Sequence, residues 1–401
     1  MKKIKGKYTK ANVYVKDLDK KVEQQIQDMC DSATMKNCKI AIMPDAHYGK
    51  GVPIGTTIQL KEYVNPDFVG VDIGCGVSAQ RIKAHDGFDF EKLQNIIEEK
   101  IPSGRSAREI ASPFAEIFKK VFKGLYSKRE INLDRAARSI GTLGGGNHFI
   151  SIEQSKNQPS DEAYLLVHSG SRNFGYQIAT FFSKLAKQET EVHNATKRQE
   201  IISACKKEGR ESEIQSEIIF FNENLIEKTP ALSDINRTQY INDMLIAVNY
   251  AQLNREVIIE EICNAAKYEQ FERLDTIHNY IDTDFVLRKG AVSAHARERF
   301  ILPINMMEGS LLCTGKGNKK WNYSAPHGAG RLMSRTEAKK TLSMDNFSKE
   351  MSSIWTKSVS LDTLDEAPGA YKSVDEITEY LQQTATIQNK LIPLYNFKAS
   401  S

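Results

Sequence analysis

Apolar and polar positions divide the chain into two textures. Short apolar runs bounded by Gly and Pro predict strands at residues 40–43, 55–60, 69–71 and 77–82. Leu93, Ile96 and Ile97 then fall at helical spacing, and Asp89 is a plausible cap for a helix over residues 88–101. Two more helical stretches precede Gly141, after which GGGNHFISI and AYLLVHS read as strands. Residues 174–267 differ in being highly charged, poor in glycine and helical in period. Leu245, Val248, Leu253, Val257 and Ile262 mark a helix over residues 241–266. From Thr276 strands and turns return. They are followed by a helix starting at Arg331, another over residues 373–388 and a last strand at 391–398.

Composition narrows the class. The chain has 401 residues, 40% of them hydrophobic, room for two domains or one large one. No apolar run approaches the roughly 20 residues of a membrane span. The N-terminal MKKIKGKYTK is basic but lacks the apolar stretch of a signal peptide. A cytoplasmic location is therefore expected. The six cysteines are scattered without a CxxC pair, which argues for free thiols rather than a disulfide framework. A net charge of +4 permits a nucleic-acid or phosphate substrate without demonstrating one.

The candidate chemistry lies in short motifs on both sides of the helical stretch. PDAHYGKG, GGGNHF, VHSGSR, IHNY and PHGAGR hold His47, His148, His168, His278 and His327, five of the eight histidines. GVDIGCG adds Asp72 and Cys75. Imidazole, thiolate and carboxylate are what a borderline-soft divalent metal binds. The set exceeds what one metal needs, which raises a metal pair plus a reactive histidine. Asp72 and Cys75 sit three apart on a Gly-bounded turn and can reach one metal, and a thiolate can bridge two. The bland alternative is a buried Cys with a capping Asp. His168 ends an apolar strand and leads to Arg172, which suits a metal ligand followed by a phosphate-binding arginine. A satisfied strand-edge histidine is the competing reading.

Pro326 fixes the chain before His327, and the glycines after it leave the imidazole open. A helix starting at Arg331 could hold a phosphate at its N-terminus. His327 is thus a candidate nucleophile towards phosphorus, with an ordinary turn histidine as the alternative. Arg288 and Lys289 form either a phosphate clamp or a solvated loop. GKGNKK lacks the spacing of a P-loop and is rejected as one. His85, His193 and His295 have no comparable surroundings. Motifs so far apart must meet in one cleft. That favours a single mixed α+β domain over residues 1–401, with strands around a central metal cleft and a helical insertion at about 174–267 that lines or covers it.

In order, PDAHYGKG, GVDIGCG, GTLGGGNHF, VHSGSR, HNY, RKGA, PHGAGRLMSR and APGAYK resemble the RNA-splicing ligase RtcB family, from about Met43 to the C-terminus. The resemblance implies a ligase that joins RNA 3′-phosphate or 2′,3′-cyclic phosphate ends to 5′-hydroxyl ends, using GTP and two Mn²⁺ ions. It implies that Cys75 bridges the metals, that Asp72 and His148 complete one site, and that His168 and His278 complete the other. His327 resembles the histidine that becomes guanylylated. Asn147, His148, Phe149, Ile150, Ser151, His278 and Asn279 fall at guanylate-holding positions. So do Pro303, Ile304, Asn305, Met306 and Ser310, then Gly328, Ala329, Gly330 and Lys398. Arg172, Lys289 and Arg331 would meet RNA or triphosphate oxygens.

Two departures stand out. Ser151 replaces the Glu usual after NHFI, and NFKAS only loosely matches the usual C-terminus, which bears on Lys398. The motif variants suggest a divergent bacterial branch serving RNA repair more than tRNA splicing. Need for an archease-type activator stays open at this level. The rival readings are a dinuclear-metal phosphoesterase without a covalent step and a non-enzymatic RNA-binding protein with a structural metal. The open PHGAGR turn argues against both.

Overall fold

Antiparallel pairing sets the architecture. A computed structural model describes residues 2–16, 18–155, 159–223 and 229–399. Its largest sheet has seven strands. Their order across the sheet is Arg299–Asn305, Gly309–Gly315, Ala385–Lys398, Phe149–Ser155, Glu162–Ser169, Gly76–Lys83 and Glu269–Ile277. Every neighbouring pair is antiparallel. Antiparallel neighbours place the start of one strand beside the end of the next. Phe149 pairs with His168, His168 with Val77, and Val77 with Thr276. One edge of the sheet therefore collects His148, His168, Cys75 and His278, although they span 203 positions of sequence (278 − 75).

A second sheet orders its strands Lys2–Lys5, Lys10–Val13, Lys39–His47, Ile54–Gln59, Val286–Lys289 and Asn279–Ile281. The chain passes from the first sheet to this one between His278 and Asn279. A two-stranded ribbon pairs Ala291 with Pro326 and ends immediately before His327. The cleft lies where these three sheets meet.

Alternation along Phe149–Ser155 separates core from cleft. Ile150 and Ile152 pack with Leu165, Val167, Ile258 and Ile262, while Phe149, Ser151 and Glu153 occupy the opposite face.

Among its described residues the helical stretch holds three α-helices, Arg172–Lys207, Ile214–Glu223 and Asp234–Ala266. The last is buried on several sides, which explains why it shows no single apolar stripe. It packs against Glu162–Ser169 and Gly76–Lys83. Contrary to expectation, no residue of these helices lines the cleft. They back it instead. Asn254 Oδ1 accepts from Gly141 N and Thr142 N, and its amide donates to Thr142 O and Ser169 Oγ. Arg255 is fully buried and donates to Gly74 O and Ser169 O at 3.0 Å each, and to Ser78 Oγ at 2.8 Å. Two adjacent residues thus tie down the backbone beside Cys75 and His168. Among the described residues no helix is long and apolar enough to cross a membrane.

Three expected elements are corrected. Residues 66–69 are a short helix, not part of a strand, because Asn65 caps it and Pro66 starts it. No helix begins at Arg331; the helix there is Arg335–Thr341, capped by the Ser334 side chain. The helix near 373–388 is only Val374–Leu381. Its chain turns at Thr384 and joins the sheet from Ala385, where Thr386 and Ile387 suit a strand.

Replacing Arg255 by Met is expected to cost roughly 2–5 kcal/mol, because it strips donors from buried carbonyls. Urea unfolding measures this, and an unchanged midpoint would contradict the clamp.

Candidate active site

Cys75 Sγ lies 3.5 Å from His148 Nε2 and 3.2 Å from His168 Nε2. His168 Nε2 lies 3.4 Å from His278 Nε2, and His148 Nε2 lies 3.2 Å from Asp72 Oδ2. Two ligand sets result, Asp72–Cys75–His148 and Cys75–His168–His278, each with its ligand atoms within 4.8 Å of one another. The thiol belongs to both. The far nitrogens of two rings are fixed by backbone: His148 Nδ1 on Leu143 O at 2.9 Å and His168 Nδ1 on Asn147 O at 3.1 Å. That sets the tautomer and aims both Nε2 atoms at the thiol.

Electrostatics agree with a ligand role. Burial, then neighbouring imidazoles, holds His168 and His278 well below the usual histidine range, so both are neutral. Burial would raise the Asp72 carboxyl, but the hydrogen bond and charge of His148 outweigh it and keep the group ionised. Burial, then Asp72, pushes the Cys75 thiol up. A divalent cation reverses that last effect, because thiolate is the form it binds. Five donors of the right chemistry converge with no other cation among them, so the residues fit a pair of metal ions.

His327 stands beside these sets, its ring centroid 5.0 Å from that of His278. Its Nδ1 is 2.7 Å from Asp45 Oδ2, and its backbone N–H reaches the same oxygen at 3.3 Å. Asp45 is completely buried, whereas the His327 side chain keeps 19% of its surface. A carboxylate on Nδ1 makes that nitrogen the proton carrier and leaves Nε2 with a free lone pair. Sequence reasoning missed Asp45. It looked at His47 in the same PDAHYGKG motif, and His47 instead lines the cleft with Nδ1 on Asp45 O at 3.0 Å.

The cleft encloses about 400 Å³. Of the residues expected to hold a nucleotide, Asn147, Phe149, His278, Asn279, Pro303, Ile304, Asn305 and Met306 line it. Gly328, Ala329, Gly330 and Lys398 do too. His148 enters through its ligand set, and Ser310 is buried just behind the wall. Ile150 faces the opposite core, as strand alternation requires, so that assignment is corrected. Ser151 is buried beneath Glu153, to whose Oε1 its hydroxyl donates at 2.9 Å.

The three phosphate candidates fare differently. Lys289 lines the cleft, its ammonium held by Lys50 O and Asp67 O, and burial brings it down to about 8. Arg331 lines the cleft too, with its guanidinium engaged by Met333 O, Glu366, Tyr371 and Asp365 O, so it also braces the wall. Arg172 lies outside the cleft lining and donates to Thr142 Oγ1 and Gly104 O. Glu366 also pairs with Lys398 and Arg335, whose charges outweigh burial and bring its carboxyl to about 2. Glu366, Tyr371, Arg335 and Asn396 line the cleft without having been singled out by sequence. His295 stacks on Tyr323, and His85 pairs with Glu269 at the surface.

What fold and cleft define is an α+β protein in which two thiol-sharing sets of side chains that could hold metal ions lie beside a carboxylate-held histidine. The chain belongs to the tRNA-splicing ligase RtcB family, whose model matches residues 27–399. It is 32% identical over 386 residues to the RNA-splicing ligase RtcB of Escherichia coli K12, covering 84% of each chain. It is 25% identical over 384 residues to RNA-splicing ligase RtcB2 of another E. coli strain, covering 89% of this chain and 86% of the relative. With the tRNA-splicing ligase RtcB of Aeropyrum pernix the identity is 24% over 428 residues, covering 84% and 83%. The expected family and α+β class are borne out.

Burial lifts Glu153 from the ordinary 4.5 to about 7. Its ionisation therefore costs stability, a cost absent below about 4.5 and complete above about 7. Glu153→Gln should be more stable than wild type at pH 8 by about 1–3 kcal/mol, with the difference closing towards pH 4.5. Thermal melts across that range check the sign.

Proposed function

We propose that this RNA ligase joins RNA 3′-phosphate or 2′,3′-cyclic phosphate ends to 5′-hydroxyl ends, using GTP and two manganese ions. The observation that carries the reading is the Asp45–His327 hydrogen bond beside two ligand sets that share Cys75. Asp72 and His148 would hold one ion with Cys75, and His168 and His278 the other. Bound there, the ions neutralise phosphate charge and orient the leaving group.

His327 does the covalent work. Its Nε2 lone pair forms a bond to the α-phosphorus of GTP, the bond to the bridging oxygen breaks, and pyrophosphate leaves. Positive charge that develops on the ring is met by Asp45 through the Nδ1 proton. The guanylyl group then passes to an oxygen of the RNA 3′-phosphate, which frees His327. The 5′-hydroxyl attacks the activated phosphate, loses its proton and expels GMP. A 3′-phosphate alone is a poor electrophile, which is why a nucleotide is spent on it. A cyclic phosphate must first be hydrolysed. Asn147, Asn279, Lys398 and the Gly328–Ala329–Gly330 backbone line the space for the guanylate. Lys289 is the better placed cation for RNA phosphate. An archease-type activator and a cytoplasmic location belong to the same proposal.

Incubation with GTP and Mn²⁺ is expected to add one GMP by mass spectrometry, and His327→Ala to abolish it. Absence of the adduct in wild type, or its survival in His327→Ala, would end the ligase reading. Asp45→Asn keeps the space filled but loses the carboxylate, so adduct formation should slow roughly 100-fold or more. Single-turnover kinetics read this. Cys75→Ala removes the shared ligand and should lower bound Mn²⁺ from two per chain to below one by elemental analysis. Retention of both ions would exclude a shared thiolate.

A further inference from the structure

One wall of the cleft holds polar groups that the histidine chemistry does not use. It lies where Gly309–Gly315, Ala385–Lys398 and Phe149–Ser155 run side by side. Glu153 Oε2, Ser310 Oγ and Asn396 Oδ1 are buried there, and none makes a hydrogen bond of good geometry. Glu153 and Asn396 line the cleft, and the Ser310 hydroxyl faces the Glu153 carboxyl. Asn396 pairs with Ser151 across the strands, so the two side chains share a face. Buried acceptors without donors are costly, and a cluster of them marks a place where a ligand brings the donors.

The position of Glu153 has a further meaning. Ser151 and Glu153 are two apart on one strand and point the same way. The Glu153 side chain bends back so that Oε1 sits 2.9 Å from the Ser151 hydroxyl. A carboxylate therefore stands over residue 151, although the residue there is Ser. Its second oxygen has the Ser310 hydroxyl and N–H as neighbours but makes no hydrogen bond of good geometry, so a ligand can supply one.

A planar edge with two adjacent N–H donors fits a carboxylate with both oxygens in reach. Guanine presents such an edge, with its ring N–H beside its exocyclic amino group. Adenine offers a ring acceptor at the same place, which would face the carboxylate lone pairs unpaired. Resting on the nucleotide-binding reading above, we infer that Glu153, assisted by Asn396 and Ser310, reads the base of the bound nucleotide and selects guanine over adenine. Glu153 thereby does from two residues along the strand what Ser151 cannot do.

The test uses the Mn²⁺-loaded protein and calorimetric titration with GMP, IMP and AMP, IMP being the analogue that lacks the amino group. Wild type is expected to bind GMP more tightly than IMP, and IMP more tightly than AMP. In Glu153→Gln, GMP binding should fall roughly 10- to 100-fold, as for loss of a charge-assisted buried hydrogen bond, while AMP stays within about threefold. The GMP-to-IMP ratio should narrow, because glutamine has one acceptor oxygen and its NH2 would oppose the second donor of the base. Asn396→Leu should shift GMP in the same direction by a smaller factor. An unchanged GMP-to-AMP preference in Glu153→Gln overturns the inference, as does a wild type without that preference. The adduct assay separates the two readings. Glu153-dependent GMP preference without an adduct upholds the base-reading role and ends the ligase mechanism, and an adduct with unchanged preference does the reverse.

Discussion

The constraint on which this molecule turns is the compression of three imidazoles, a carboxylate and a thiol around one sulfur atom. With nitrogen-to-sulfur separations of 3.2 and 3.5 Å the thiol and the imidazoles are shut off from water, while the Asp72 side chain keeps 36% of its surface. Desolvation holds His168 and His278 neutral and opposes ionisation of Cys75. Such an arrangement is unfavourable by itself, because each buried group gives up its water. The scaffold must therefore hold it together beforehand. Antiparallel strand order brings the ligands to one edge, and Asn254 with Arg255 ties the backbone beside them. The long helix Asp234–Ala266 is thus a rigid backing for the ligand loops. It explains how a charged, glycine-poor stretch serves a site it never lines.

The opposite wall obeys a different rule. Around Glu366 gather Arg331, Arg335, Lys398 and the Tyr371 hydroxyl. Burying that much charge is tolerable because each group has partners. The cost is that Arg331, an open cation by sequence, is also engaged in holding the wall. Lys398 keeps its place despite a C-terminus that departs from the usual pattern, because its position in the sheet pairs it with Phe149. A pairing register tolerates changes in neighbouring side chains, so loose local similarity at NFKAS did not matter.

What the sequence made legible follows from this difference. Side chains of metal-ligand type announce themselves inside glycine-bounded motifs, and the structure brings Asp72, Cys75, His148, His168 and His278 together. Asp45 did not, because its role depends on a hydrogen bond to a residue 282 positions away. Nothing local distinguishes it from a capping aspartate. Glu153 was hidden for another reason. Reading the motif position by position showed only that Ser151 lacks a carboxylate. That the next side chain on the same face returns one became visible only from the strand geometry. The helical stretch was legible as helix from its period, but period does not tell which side of a cleft a helix takes.

One dipeptide couples the two halves of the site. His278 completes a metal-ligand set at the end of the first sheet, and Asn279 begins a strand of the second. The Asn279 amide donates to Asp72 O at 3.1 Å, and its Oδ1 accepts from Gly290 N at 3.0 Å. Gly290 has φ +60°, and a Cβ there would meet Ile54 at 2.1 Å and lie 3.2 Å from the His327 ring. Only glycine lets the chain pass so close to that ring. The Asp72–Cys75 turn, the sheet junction and the wall beside His327 are therefore linked by consecutive hydrogen bonds. Asp45, at the end of Lys39–His47 in the second sheet, fixes the other side of His327. The distance from His327 to the ligand-type side chains is thus a property of how the two sheets join, not of any loop. His327 and the cluster around Cys75 are therefore held at a fixed separation, because neither can shift without breaking the junction.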